Sequence, residues 1–273
     1  MAKVLRIGVV GCGAIGSSLA QAVRKDFRGK AVLAGLYDID RAKTVALERR
    51  LGVRGRAAKD LAGLIGRCDL VVESSSAAVS GKIAREVLTR GKSVVVMSVG
   101  GILNRVKALA AICASTGGKL YIPSGAIAGI DAVKAAAVGG IRRVTLVTTK
   151  HPRSFKGVEY VRRKGIDLDG IRAPVLLFSG SARAAVNAFP QNINVAAVLS
   201  LAGVGASRTT VKIIASPLAT KNIHEIIIES ASGKVVTRTE NLVHPDNPKT
   251  SYLAVLSAVA LLKEIVEPVR IGT

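Results

Sequence analysis

The sequence predicts an α/β protein, with an N-terminal doubly wound parallel sheet, an α+β unit after it, and a last helix returning to the first domain. Three observations carry this. The first third alternates short β-branched apolar runs with helical periods, as parallel strands joined by right-handed crossovers require. A glycine-rich turn, Gly11-Cys12-Gly13-Ala14-Ile15-Gly16, joins the first apolar run to the first helical period. At Ile122-Pro123-Ser124-Gly125-Ala126 the texture changes to a turn-rich junction followed by spaced strands.

In chain order, Val4 to Val10 is an apolar, β-branched run suited to a buried parallel strand. Ser17 to Arg24 reads as a helix, Ala31 to Tyr37 as a second strand, and Arg41 to Leu51 as a helix. Asp60 to Ile65 is helical, Leu70 to Glu73 a third strand, Ser80 to Arg90 helical, and Ser93 to Ser98 a fourth strand. Beyond the junction, Val144 to Thr149, Val175 to Ser179 and Val211 to Ala215 are strand-like. Ser181 to Phe189 and Asn194 to Leu201 are helical. Glu225 to Ser230 and Lys234 to Glu240 flank Ala231-Ser232-Gly233 and read as a hairpin. Ser251 to Ile265 is apolar at helical spacing. These elements divide into a domain of residues 1–121 plus 241–273 and a substrate or dimerisation domain of residues 122–240.

The 273 residues are 49% hydrophobic and 21% charged, enough to bury a core in one or two domains. The start at Met1-Ala2-Lys3-Val4 has no leader-like apolar stretch, and no apolar run is long enough for a bilayer. A cytoplasmic protein without membrane partners is the expectation. Cys12, Cys68 and Cys113 are an odd number at no metal spacing, so neither a disulfide framework nor a metal site is expected. The net charge is +22, but the basic residues are scattered and aromatics are 3%. Nucleic-acid readers cluster their charge and stack bases on aromatics, so no nucleic-acid partner is expected. A diffuse positive field would still attract a small dianion.

Gly11-x-Gly13-x-x-Gly16 follows an apolar strand, opens a helix, and precedes a second strand ending at Asp38. That context points to a Rossmann-type dinucleotide site. Gly11 permits the tight turn, Gly13 lets backbone approach a pyrophosphate, and Gly16 lets helix and strand pack closely. The helix start, with Ala14 and Ile15, offers unpaired N–H groups to phosphate. Asp38 would bind ribose hydroxyls and repel a 2′-phosphate, which favours NAD. Arg41 beside it keeps NADP open.

Four later segments are more specific as an ordered set: Ile122-Pro123-Ser124-Gly125-Ala126-Ile127-Ala128-Gly129, Phe189-Pro190-Gln191-Asn192-Ile193-Asn194-Val195-Ala196-Ala197, Asn222-Ile223-His224-Glu225, and Pro245-Asp246-Asn247-Pro248-Lys249-Thr250-Ser251. With the glycine turn, they resemble the L-aspartate dehydrogenase family over nearly the whole chain. On the residues alone, His224 as an acid/base group and His224 as a core histidine weigh equally. The resemblance implies His224 as the catalytic histidine, Ala128 and Asn194 as cofactor contacts, and a homodimer. It also implies oxidation of L-aspartate to iminoaspartate with NAD or NADP, yielding oxaloacetate and ammonia or feeding pyridine nucleotide synthesis. A histidine titrating near neutral pH would suit water attack on the imine. Two substrate carboxylates need donors, for which Ser124, Asn194, Lys150 and Lys249 are candidates. In Thr149-Lys150-His151-Pro152-Arg153, His151 stands where relatives tend to carry proline, so it is not expected to be catalytic; His244 reads as a loop residue. Two alternatives stay open: a two-domain dehydrogenase or reductase acting on a semialdehyde or cyclic imine, and an NAD-sensing regulator without turnover.

Overall fold

The computed structural model describes residues 4–189, 193–245 and 247–272, with the side chains of 248 and 249 left aside. The chain divides into two units, Met1–Pro123 with Val255–Arg270, and Ser124–Ala254 with Ile271–Thr273. The first unit therefore ends after 123 rather than 121, and the chain returns at Val255 rather than 241. Residues 241–254 stay with the second unit because Asn241 pairs with Asn222 and Val243 pairs with Ser251.

The first unit runs β1 (Leu5–Val10), α1 (Ala14–Asp26), β2 (Ala31–Tyr37), α2 (Arg41–Leu51), α3 (Leu61–Arg67), β3 (Leu70–Glu73), α4 (Ala77–Thr89), β4 (Ser93–Val96), α5 (Val106–Thr116) and β5 (Leu120–Tyr121). Among the described residues its strands form one parallel sheet in the order β2-β1-β3-β4-β5. The order reverses between β1 and β3, and ligands of such sheets bind beyond the strand ends at that point. The strands are apolar throughout because helices cover both faces: Ile7, Val9, Val71, Val72 and Val95 are fully buried. Asp40 caps α2 by accepting the Ala42 N–H at 3.0 Å, which is why that helix starts at Arg41.

The second unit runs α6 (Ile130–Gly139), β6 (Ile141–Lys150), α7 (Glu159–Arg163), β7 (Val175–Ser181), α8 (Ala182–Ala188), α9 (Asn194–Ala202), β8 (Thr209–Ala215), β9 (Asn222–Ser230), β10 (Gly233–Asn241), β11 (Val243–His244) and β12 (Asn247–Ser251). Its main sheet has the order β10-β9-β6-β8-β7 and is mixed: β6 and β8 are parallel, the other pairs antiparallel. Helices α6, α8 and α9 pack on its inner face against β8 and β9. The expected hairpin is β9–β10, closed through the Ser230↔Gly233 pair.

The last helix, α10 (Tyr252–Val266), carries the chain back. Its Val255, Ala258 and Leu262 join the core of the first unit with Ile7, Leu19 and Leu36. Lys30 forms an ion pair with Glu267 just beyond the helix. No helix among the described residues is long and apolar enough to cross a membrane.

Candidate active site

The glycine turn has a separate physical reason for each glycine. Gly11 has φ +88°, and a Cβ there would lie 2.6 Å from the Ser74 carbonyl oxygen. A Cβ on Gly16 would lie 1.8 Å from the Gly11 carbonyl oxygen, because α1 starts tight against the end of β1. Gly13 differs: a Cβ there would meet nothing within 4 Å, and the residue has φ −74° and ψ −167°, which any residue adopts. Internal packing does not require glycine at 13. A side chain there would stand in the open space above the turn, where glycine leaves room for a ligand to approach.

Helix α1 starts at Ala14 without a side-chain cap and without an acidic residue in its first turn. Its first N–H groups and the positive end of its dipole are thus left for an anion. The Ser74 hydroxyl braces the turn from the far side of the switch point, donating to the carbonyls of Val10 and Gly11 at 2.9 and 3.0 Å. Behind Ser74, Glu73 is fully buried. It accepts from the Ser75 N–H at 2.8 Å, the Ser75 hydroxyl at 2.7 Å and the Ser98 N–H at 3.1 Å. Burial raises its pKa against the lowering pull of those donors. Glu73 and Ser74 were not anticipated from sequence, although an acid closing the apolar run Leu70–Glu73 was a visible signal.

Asp38 follows β2 and binds the turn directly: it accepts the Cys12 N–H at 2.7 Å and the Asp40 N–H at 2.9 Å. An ionised carboxylate has about four lone-pair sites, so capacity remains for ribose hydroxyls. An open glycine cradle, an uncapped helix start and a partly exposed carboxylate at the end of the second strand fit an adenine dinucleotide. Cys12 and Cys68 are buried, and burial pushes their thiols up to about 11 and 12, so both are inert.

In the second unit the binary pattern breaks at one end of the sheet. On the inner face of β6 the residues are Val144 and Leu146, then Thr148 and Lys150. On β9, approached from the opposite end, they are Asn222 and His224, then Ile226 and Ile228. Thr148 pairs directly with His224. Four polar side chains thus occupy core positions beside an apolar floor: Thr148 is 5% exposed, Lys150 8%, Asn222 7% and His224 4%. Polar residues at core positions cost stability and mark function.

The Thr148 hydroxyl lies 3.0 Å from Nδ1 of His224. Burial, and secondly the charge of Lys150, push His224 down to about 3. Burial alone pulls Lys150 down to about 8. The expectation that His224 titrates near neutrality is therefore corrected: its imidazole is neutral, and Lys150 is the group that titrates closer to physiological pH.

Around this patch, β10 holds the segment from 126 to 128. The Thr239 hydroxyl and the Asn241 amide donate to the Ala126 carbonyl at 3.1 and 2.8 Å, and the Thr237 hydroxyl donates to the Ala128 carbonyl at 3.1 Å. Ala128 is exposed, and Ser124 is half-buried upstream of it. Asn222 donates to the Ser251 hydroxyl at 3.5 Å, which brings the third and fourth sequence motifs together. Asn194 is the exposed first residue of α9. Lys249 sits in β12, but its side chain lies outside the described residues, as do Pro190, Gln191, Asn192 and Asp246.

The other two histidines have structural duties. His151 caps the 3-10 turn Pro152–Phe155, its Nδ1 accepting the Arg153 N–H at 3.2 Å. His244 is not a loop residue: it lies in β11, is buried, and packs edge-on against Tyr252 at 5.6 Å between ring centroids. No group of three or more metal-ligating side chains occurs among the described residues.

Comparison with known proteins matches the two halves of the chain to two family models. The aspartate dehydrogenase C-terminal family matches residues 131–265, and the homoserine dehydrogenase NAD-binding domain matches residues 11–123. An L-aspartate dehydrogenase of Methanosarcina barkeri is 44% identical over 99% of this chain and 100% of its own length. That of Methanococcoides burtonii is 43% identical over the same shares. The crystal structure of aspartate dehydrogenase from Thermotoga maritima superimposes with a TM-score of 0.72 at 24% identity, covering 99% of this chain and 100% of that one, and so shares the fold. With whole-length identity above 40%, a glycine cradle shaped for a dinucleotide and a buried histidine in the third motif, the chain belongs to the L-aspartate dehydrogenase family.

Proposed function

We propose that the chain catalyses the NAD(P)-dependent oxidation of L-aspartate to iminoaspartate, with His224 as its acid/base residue. Family membership supports the reaction, and one observation supports the site: a neutral histidine and a lysine lie buried on one sheet face, at positions where the strands otherwise bury aliphatic side chains. L-Aspartate and the oxidised dinucleotide give iminoaspartate, the reduced dinucleotide and a proton. Water then converts the imine to oxaloacetate and ammonia, or the imine is drawn into pyridine nucleotide synthesis. The dinucleotide, when bound, accepts hydride from the substrate α-carbon.

This chain's residues supply positioning and proton transfer. Gly11, Gly13, Ala14, Ile15 and Gly16 receive the pyrophosphate, and Asp38 receives the ribose. Ala128 and Asn194 are the further cofactor contacts of this reading. Lys150 offers a buried positive charge to a substrate carboxylate, with Ser124, Asn194 and Lys249 as additional donors. Charge-assisted hydrogen bonds of this kind are about twice as strong as neutral ones.

His224 accepts a proton from the water that attacks the carbon of the protonated imine, as the C–O bond forms and the C=N π pair moves to the iminium nitrogen, giving a neutral carbinolamine. A carboxylate beside Lys150 would offset one of the two causes that hold His224 down. Substrate binding thereby raises the basicity of the imidazole where it is needed. The Asp38 carboxylate favours NAD over NADP. A cytoplasmic homodimer completes the reading, and sedimentation velocity checks the dimer.

The test is the appearance of reduced dinucleotide at 340 nm with L-aspartate, and with aspartate semialdehyde or homoserine as competing substrates, each against NAD and NADP. L-Aspartate with NAD should give the highest kcat/KM. Tight NAD binding with no turnover of any of them would favour a sensor.

A further inference from the structure

We infer that Thr148 is a positioning residue for the reaction: its hydroxyl oxygen accepts the Nδ1–H of His224, which leaves Nε2 as the bare, reacting nitrogen. The inference rests on the aspartate reading for the role of His224, but its geometry stands apart from that reading. Thr148 and His224 are direct cross-strand partners on β6 and β9, with Oγ1 and Nδ1 3.0 Å apart in a buried setting. A neutral imidazole carries one proton, and the hydrogen bond made by one ring nitrogen decides the state of the other. The environment keeps the ring neutral, since the neighbouring ammonium of Lys150 and burial both oppose a second proton.

The backbone holds the same residue in place. His224 sits on the central strand of three, with β6 on one side and β10 on the other. The Thr239 hydroxyl on β10 lies 3.4 Å from the His224 carbonyl while donating to Ala126. Strand β9 is thus bracketed from β10 through the backbone and from β6 through the Thr148 side chain. Threonine also has restricted χ1 freedom, so its hydroxyl is held with little further loss of entropy. A serine would keep the hydrogen bond with more freedom, whereas a valine would keep the shape and lose the acceptor.

The test compares Thr148→Val and Thr148→Ser with the unaltered protein. Two-bond 15N–1H correlation spectra report which ring nitrogen carries the proton, and a His224→Asn variant assigns that signal among the three histidines. The unaltered protein should show His224 with the proton on Nδ1. Thr148→Val should lower kcat for aspartate about ten- to a hundredfold, with KM for NAD within about twofold, and shift population toward the Nε2–H form. Thr148→Ser should restore kcat to within about threefold.

A proton found on Nε2 in the unaltered protein overturns the inference. So does a Thr148→Val enzyme with undiminished kcat, or a Thr148→Ser enzyme as impaired as Thr148→Val. If Thr148→Val does not fold, the spectrum of the unaltered protein and the serine variant still decide. If the protein shows no aspartate turnover, the aspartate reading fails, while the spectrum still judges the tautomer.

Discussion

At the end of β1 the chain exposes backbone, whereas at the end of β6 it buries side chains. The glycine turn of the first unit leaves Gly13 open and the start of α1 uncapped, so its chemistry is that of N–H groups and a helix dipole. The second unit buries Thr148, Lys150, Asn222 and His224 among aliphatic neighbours, so its chemistry is that of shifted pKa values and buried side-chain hydrogen bonds. A dinucleotide cradle of the first kind leaves the other substrate unspecified. The second is what distinguishes one reaction from another.

If this contrast is right, damage at each region should have a different signature. The largest effect on binding should come from Gly13→Val. Its backbone angles and empty surroundings let the variant fold, so its thermal midpoint should barely move. Its NAD affinity by calorimetry should fall about a hundredfold, or about 2.7 kcal/mol. Undiminished affinity would mean that the turn does not cradle phosphate.

Next should be Lys150→Met, which keeps most of the volume and removes the charge. KM for aspartate should rise about ten- to a hundredfold with KM for NAD unchanged. Because Lys150 is pulled down to about 8, the unaltered enzyme should also lose aspartate affinity as pH rises through about 8. Lys150→Met should lack that limb.

Acid stability sharpens the same region. The folded-state value of His224, about 3, lies below its ordinary value, so the unfolded chain binds the extra proton first. Stability should therefore fall as pH drops below about 6.5 towards 3, and His224→Gln should remove up to one proton from that dependence. Urea midpoints across the range measure it, and identical slopes would contradict the burial of a neutral His224.

Asp38→Asn keeps one acceptor for the Cys12 N–H and removes the negative charge. It should narrow the preference for NAD over NADP by roughly tenfold, on the scale of one charged hydrogen bond. The smallest effect should be on salt dependence: the field of the +22 chain should speed capture of aspartate severalfold at low ionic strength, and added salt should erase the gain.

The two regions also differ in how far the sequence exposed them. The glycine turn is local: strand, turn, helix and Asp38 fall within one stretch, and β2, α2 and β3 have the bounds that their apolar patterns predict. Helices α5 and α6 were missed, since Val106–Thr116 and Ile130–Gly139 are alanine-rich and weakly patterned. The pairing of Thr148 with His224 joins residues 76 positions apart, and no local pattern announces a register. Lys150 was legible as a candidate carboxylate donor, and Thr148, two positions before it on the same inward face of an otherwise apolar strand, carried a period-2 violation that was not read as part of the site. The β10 hydroxyls that hold Ala126 and Ala128 were hidden for the same reason, because their partners come from elsewhere in the chain.

The most direct test of the account is to measure two quantities on one preparation of the His224→Ala variant: NAD affinity by calorimetry and aspartate turnover by reduced-dinucleotide absorbance. Loss of a positioned acid/base group costs about a hundred- to ten-thousandfold in turnover. The account predicts that fall in kcat, with NAD affinity unchanged within about twofold. Retention of most of the turnover would contradict it, as would a parallel collapse of NAD affinity.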